Sequence, residues 1–169
     1  TKIPNLYKME VNAMGMVVQK EVFNGSVGGE MNMQTGKKDF TSEEIEEKKI
    51  ALLLDKELRY EELGYQLKLE TIEKINETLA YKVAVTDPLG NTSYEYFDAE
   101  TKLKVAEMKI DISPSGETGT VIQYFSDYKE TKYLLFPYKV TIDNNGQELE
   151  LNLSLIDFNP KISAEEFNW

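Results

Sequence analysis

Apolar side chains recur at every second position through most of the second half of this chain, and that spacing restricts what it can fold into. Tyr65, Leu67 and Leu69 alternate with Gln66, Lys68 and Glu70, and Leu79, Tyr81, Val83 and Val85 repeat the pattern. Met108, Ile110 and Ile112 continue it, followed by Val121, Gln123 and Phe125. Successive side chains of an extended strand point to opposite faces, so a period of two builds one apolar and one polar face. The cleanest case is Leu149, Leu151, Leu153 and Leu155 against Glu148, Glu150, Asn152 and Ser154. These pair with residues 136–142 across the turn Asp143-Asn-Asn-Gly146. A slip of one residue would expose all four leucines, so the register is expected to be well specified.

Turn signals punctuate the strands. Asp87-Pro-Leu-Gly-Asn91 has Pro at its second position and Gly at its fourth, as β-turns favour. Asp98-Ala-Glu-Thr101 is a second turn, and residues 114–119 form a loop. The first 34 residues alternate more loosely, through Tyr7, Met9, Val11, Met14, Met16, Val18, Met31 and Met33. Asn24-Gly25 marks a turn there, and Gly28-Gly29 a bulge or a close backbone approach. Two or three strands are expected in this part. Strands every 8 to 12 residues with turns between them are the mark of an antiparallel sheet or barrel.

One segment breaks the series. Thr41-Ser-Glu-Glu44 reads as a capping box, with Thr41 as N-cap and Glu44 three residues on. Glutamates follow in the first turns and Lys48 and Lys49 later, complementing the helix dipole. The helix is expected to reach about residue 54, with a second short helix from Asp55 to about Leu63-Gly64. The expected class is therefore mainly β: a curved antiparallel sheet forming an incompletely closed barrel, with a helical lid or insert near residues 41–63. The 169 residues suit a single domain. The chain starts with Thr1 rather than Met, which points to a processed product or a part of a longer polypeptide.

Composition narrows the function. There is no His, so a Ser-His-Asp triad, a His-based zinc site and the zinc-protease signature H-x-x-E-H are excluded from this chain. There is no Cys, which removes thiolate metal sites and disulfides. Thirty acidic against 19 basic side chains give a net charge of −11, opposed to nucleic-acid binding. No apolar run approaches the roughly 20 residues of a membrane-spanning helix. Neighbouring carboxylates such as Asp98 with Glu100, or Glu165 with Glu166, read as solvated turns. Asp143-Asn-Asn-Gly-Gln-Glu148 lacks the calcium-loop spacing and reads as a hairpin turn. No cofactor, metal site or enzymatic activity is expected.

The segment Asp127-Tyr-Lys-Glu-Thr-Lys-Tyr-Leu-Leu-Phe136-Pro137-Tyr-Lys-Val-Thr resembles the "D-Y-K-x-x-x-G-x-x-F-P-x-K-I" pattern of outer-membrane lipoprotein-sorting proteins, the LolA/LolB-like family. The tail Asp157-Phe-Asn-Pro-Lys-Ile-Ser-Ala-Glu-Glu-Phe167 is similar to that family's "x-x-N-x-x-I-x-x-x-x-F". Tyr94-Glu-Tyr-Phe97-Asp98-Ala-Glu-Thr101-Lys-Leu103 is similar to its "Y-Y-F-D-x-x-T-G-L". Lys102 and Tyr133 depart from it, each standing where the family has a Gly. The resemblance implies an open β-barrel around a helical lid, with an apolar cavity for acyl chains, in the bacterial periplasm or cell envelope. It implies a non-catalytic domain whose partner is a lipid, a lipoprotein acyl chain or another apolar ligand. The ligand-contacting residues would be Met31, Met33, Leu52, Leu53, Tyr94 and Tyr96. The chain also resembles domains that follow the catalytic part of insulinase-like zinc proteases of Bacteroidetes-like bacteria. In that alternative it would be a C-terminal accessory module, partnered by other domains of its own polypeptide.

Overall fold

A computed structural model describes residues 6–53, 55–112, 118–158 and 160–169. The expected loop at 114–119 lies mostly outside them, as do Leu54 at the helix end and Asn159 of the tail. The chain divides into two compact units, residues 1–58 with 159–169, and residues 59–158.

In the first unit, β1 (Tyr7–Ala13), β2 (Met16–Phe23), β3 (Gly28–Asn32) and β4 (Gly36–Asp39) form an antiparallel sheet in chain order. Ala13 pairs with Met16, leaving the two-residue loop Met14-Gly15, whose φ values of 52° and 77° match a primed hairpin turn. The Asn24 side chain accepts from the backbone N–H of Ser26 and of Val27, at 3.0 and 2.9 Å, closing the next turn. Gly28 and Gly29 mark a close approach, as their spacing suggested. A Cβ on Gly28 would lie 2.3 Å from the Val22 carbonyl oxygen, and one on Gly29 would lie 2.4 Å from the Trp169 indole. The tail thus seats Trp169 on β3, where its Nε1 donates to Asp39 at 2.5 Å and Lys37 lies 4.6 Å from the ring centroid. Val22, Phe23 and Phe167 are buried in this unit.

Helix α1 (Ser42–Ala51) begins as the sequence predicts. The Glu44 N–H donates to Thr41 Oγ1 at 3.2 Å, and the Thr41 N–H donates to Glu44 Oε2 at 2.8 Å. No residue of α1 is fully buried. Its ties to the sheet are polar: Lys48 Nζ meets Glu21 at 2.5 Å, and Lys38 meets Glu44 at 2.6 Å. The hydrogen bond from Lys38, with that from the Thr41 backbone, holds the Glu44 carboxyl well below its usual value, at about 2. A carboxyl depressed on folding adds stability above its unfolded pKa and loses it as pH falls toward the folded one. The helix start should therefore stay intact from neutral pH to about pH 4.5 and fray as pH falls toward 2. A carbon-detected NMR titration of the Glu44 carboxyl, read beside the Thr41 amide shift, checks this. A midpoint near 4.5 would contradict it.

The second unit is a seven-stranded meander. Strands β5 (Gln66–Ile75), β6 (Thr78–Thr86), β7 (Thr92–Asp98), β8 (Lys104–Ile112), β9 (Thr118–Glu130), β10 (Leu135–Asn144) and β11 (Gln147–Asn152) each pair antiparallel with their neighbour in sequence. The expected second helix is shorter than its pattern suggested, a 3-10 turn over Lys56–Arg59. Gly64, at φ 78°, ends that segment. The Asp87 carboxylate accepts from the Leu89 and Asn91 N–H groups at 2.9 and 2.8 Å, and Asp98 accepts from Glu100 and Thr101 at 2.7 Å each. Lys102 adopts φ 65°, the left-handed backbone that favours a glycine, and its ammonium reaches the Ala99 carbonyl. Tyr133, the other departure from the family pattern, packs edge-on against Phe158 with centroids 5.1 Å apart.

Pro137 sits inside β10 without breaking it. β11 pairs with β10 only from Lys139 onward, so the proline lies where one side of the strand is free. The hairpin turn is Asn145-Gly146, at φ 53° and 85°, with the Gly146 N–H bound to Asp143 Oδ1 at 2.7 Å. One expectation is reversed here. Leu149, Leu151 and Leu155 are 56%, 45% and 78% exposed, so burial of a leucine row does not set this register. The primed turn does, because its twist matches that of the flanking strands.

The expected fold class is borne out: mainly β, antiparallel throughout the described residues, with one α-helix and a 3-10 turn inside 41–63. Among the described residues neither sheet closes on itself: β1 does not pair with β4, nor β5 with β11.

Candidate functional site

Opposed residues of an antiparallel ladder share a face, so the registers of the seven-stranded sheet map both of its surfaces. One row crosses all seven strands: Leu69, Val83, Glu95, Glu107, Gln123, Ile142 and Leu149. Beside it, on the same face, run Ile72, Tyr81, Phe97 and Lys104 on one side of the sheet, and Phe125, Val140 and Leu151 on the other. Aliphatic and aromatic side chains occupy the flanks of this face, and charge occupies its centre. Leu67, Leu69 and Ile72 at one flank are 55%, 59% and 50% exposed.

The centre is buried. Glu95 is 2% exposed, and its Oε1 accepts from the Tyr60 hydroxyl at 2.6 Å and from Lys104 Nζ at 2.9 Å. Lys104 also lies 3.5 Å from Glu107 and 5.9 Å from the Phe125 ring centroid. The backbone carbonyl of Lys104 accepts from Tyr128 Oη at 2.5 Å. Tyr60 comes from the segment after the 3-10 turn and stacks at a tilt on Tyr65, with centroids 5.0 Å apart. Burial raises the pKa of the Tyr65 phenol, with Asp87 adding to it. A charge buried in this way is retained only when paired and hydrogen-bonded. Glu95, Lys104 and Tyr60 meet that condition together.

The opposite face carries a smaller apolar patch. Ala80, Tyr96 and Ala106 are buried there, with Tyr94, Met108, Ile122 and Tyr124 packed around them. Lys82 lies 4.8 and 5.5 Å from the Tyr94 and Tyr96 ring centroids and 3.2 Å from Glu73. Burial works against its charge most strongly, yet hydrogen bonds to Tyr96 and Glu73 together outweigh it and raise the Lys82 pKa. Burial also raises the Tyr124 phenol, with Asp143 adding to it.

The six residues singled out in the sequence fall in both units. Met31 is half-buried in β3 and Met33, two positions on, is 59% exposed just after it. Leu52 is the C-cap of α1, and Leu53 follows it with its N–H on the Ile50 carbonyl at 3.1 Å. Tyr94 and Tyr96 stand side by side on β7, on the face opposite the leucine rows, and Tyr96 is a core residue there. The charged centre was not anticipated. Its signal was present: Glu95 sits in phase with Val83 and Val85 on the neighbouring strand, a carboxylate at an otherwise apolar position.

No family model matches the chain, and no curated protein matches it significantly. Among solved structures, a Vibrio parahaemolyticus domain assigned to outer membrane lipoprotein sorting superposes with a TM-score of 0.57 at 15% identity. The match covers 96% of this chain and 80% of that one. The fold is LolA-like. The mainly β antiparallel architecture, with one helix inside 41–63, agrees with the fold that the resemblance implied. At that identity, the likeness speaks for the fold alone.

Proposed function

We propose that this chain is a non-catalytic module of the bacterial envelope that holds a lipid or a lipoprotein acyl chain against the apolar face of its seven-stranded sheet. The observation that carries the reading is the exposure of Leu67, Leu69, Ile72, Leu149 and Leu151, all on one face of a sheet of LolA-like fold. Contiguous exposed apolar side chains mark binding sites, and Leu67, Leu69 and Ile72 form such a cluster at the β5 flank of this face. Each methylene buried there contributes about 0.8 kcal/mol, so an acyl chain of ordinary length binds usefully. The name of the Vibrio domain, which refers to lipoprotein sorting, supports the same ligand class. In the other unit, Met31, Met33, Leu52 and Leu53 are proposed as a separate apolar contact surface.

The test is native mass spectrometry with lipid extraction, followed by titration with a fluorescent fatty acid. Leu69→Asp and Met33→Asp suit it, because both positions are more than half exposed and tolerate a charge without unfolding. Each should weaken the probe at least about tenfold, since a carboxylate must be desolvated against the chain. Wild-type affinity in both variants would remove the proposal. Loss in Tyr94→Asp alone would move the ligand to the opposite face.

A further inference from the structure

Among the described residues strand β5 is the last strand of its sheet, and nearly all its side chains are exposed. Unpaired edges present a row of backbone donors and acceptors that another strand can complete. What distinguishes β5 is its own sequence, Gln66-Leu-Lys-Leu-Glu-Thr-Ile-Glu-Lys-Ile75. In a chain of net charge −11 this strand is neutral, with two lysines and two glutamates.

Placed antiparallel to a second copy about a two-fold axis between Glu70 and Thr71, the strand is complementary to itself. Lys68 then faces Glu73 of the other copy, and Leu69 faces Ile72, each pair occurring twice. In a regular strand such partners would point to opposite faces, since they differ by an odd number of positions. Here they do not. The register with β6 shifts between Leu69 and Thr71, so Leu69 and Ile72 share one face, and Lys68 and Glu73 share the other. The irregularity that disturbs pairing with β6 restores parity for pairing with a second copy.

The other edge of the sheet lacks this property. The antiparallel self-pairing of β11 about Leu149 sets Glu148 against Glu150 twice, placing like charges opposite each other.

We infer that β5 is an isologous docking edge for a second copy of this chain, giving a two-fold dimer with a sheet continuous across β5–β5. A single strand edge makes a small interface, below about 1,200 Å², so the dimer is weak and concentration-dependent.

The experiment is sedimentation equilibrium of the intact chain from about 1 µM to about 500 µM. Wild type, Lys68→Glu, Glu73→Lys and the double exchange Lys68→Glu/Glu73→Lys would be compared, with melting curves to confirm folding. Each single reversal replaces two attractive pairs with two repulsive ones and should weaken dimerisation about tenfold. The double exchange should restore it, and only the proposed register predicts that restoration. A spin label at Glu70→Cys, in a chain without other cysteines, should report a short distance between copies. A monomer throughout the range, or a dimer indifferent to the single reversals, would overturn the inference.

Discussion

Replacing Lys104 with methionine is expected to destabilise the chain by about 3–5 kcal/mol, the usual cost of removing one partner of a buried ion pair. Glu95 is 2% exposed, so its carboxylate cannot turn to water when the ammonium goes. Glu107 lies on the same cation at 3.5 Å and keeps Lys109 at 2.9 Å, so the uncompensated charge would fall on Glu95. Tyr60 would remain as a donor, which satisfies one lone pair and none of the charge. Urea denaturation should show a lower midpoint with an unchanged slope. The double variant Lys104→Met/Glu95→Leu should recover much of the loss, because a pair removed together leaves no orphaned charge. A loss below about 1 kcal/mol in the single variant, the range of exposed ion pairs, would show that water reaches this centre.

Gly28→Ala is expected to cost about 3 kcal/mol, at the upper end of what overpacking does. The new methyl would meet the Val22 carbonyl oxygen at 2.3 Å, the Phe23 Cα at 3.0 Å and the Phe40 ring at 3.0 Å. The first two are backbone, held by the β2–β3 ladder in which Phe23 opposes Gly28, so neither can swing aside. Val22 and Phe23 are fully buried, and a shift of β2 would disturb them both. Gly119→Ala is the internal control. The nearest atoms to its methyl would belong to the Asn145 side chain, whose amide nitrogen lies 2.7 Å away and can rotate. That variant would forfeit the 3.1 Å bond from the Thr120 N–H to Asn145 Oδ1, about 1 kcal/mol. Thermal melts of the two variants should therefore differ in size. Equal losses would mean that Gly28 is held in no special geometry and that its strand yields.

Local signals in the sequence translated well. The capping box at Thr41 and Glu44, the Asp87 and Asp98 turns and the Asn145-Gly146 hairpin are each made by side chains acting within a few residues of themselves. Such interactions depend little on the rest of the molecule. The second helix translated poorly, contracting to Lys56–Arg59, because a few apolar residues do not fill a helical face and Leu58 ends 89% exposed. The leucines of β11 were read as a buried row on their period alone. Period reports which side chains share a face and is silent on whether that face is covered.

The candidate site divides in the same way. Tyr94 and Tyr96 share a face, as alternation requires, but the face is not that of Leu69 and Leu149. No alternation rule links the phase of β7 to that of β5, because alternation within a strand leaves open which residue of the next strand stands opposite. Glu95, between the two tyrosines, was not singled out in the sequence.

The sequence by itself determined the antiparallel β class, the turns and the start of the one helix, since steric and hydrogen-bonding preferences of neighbouring residues suffice for these. Only the tertiary structure decided that Glu95 meets Tyr60 and Lys104, 35 and 9 residues away, and that Trp169 lies on Gly29. Those outcomes depend on strand registers and on chain ends brought together across long separations, where many arrangements are locally equivalent and packing selects one.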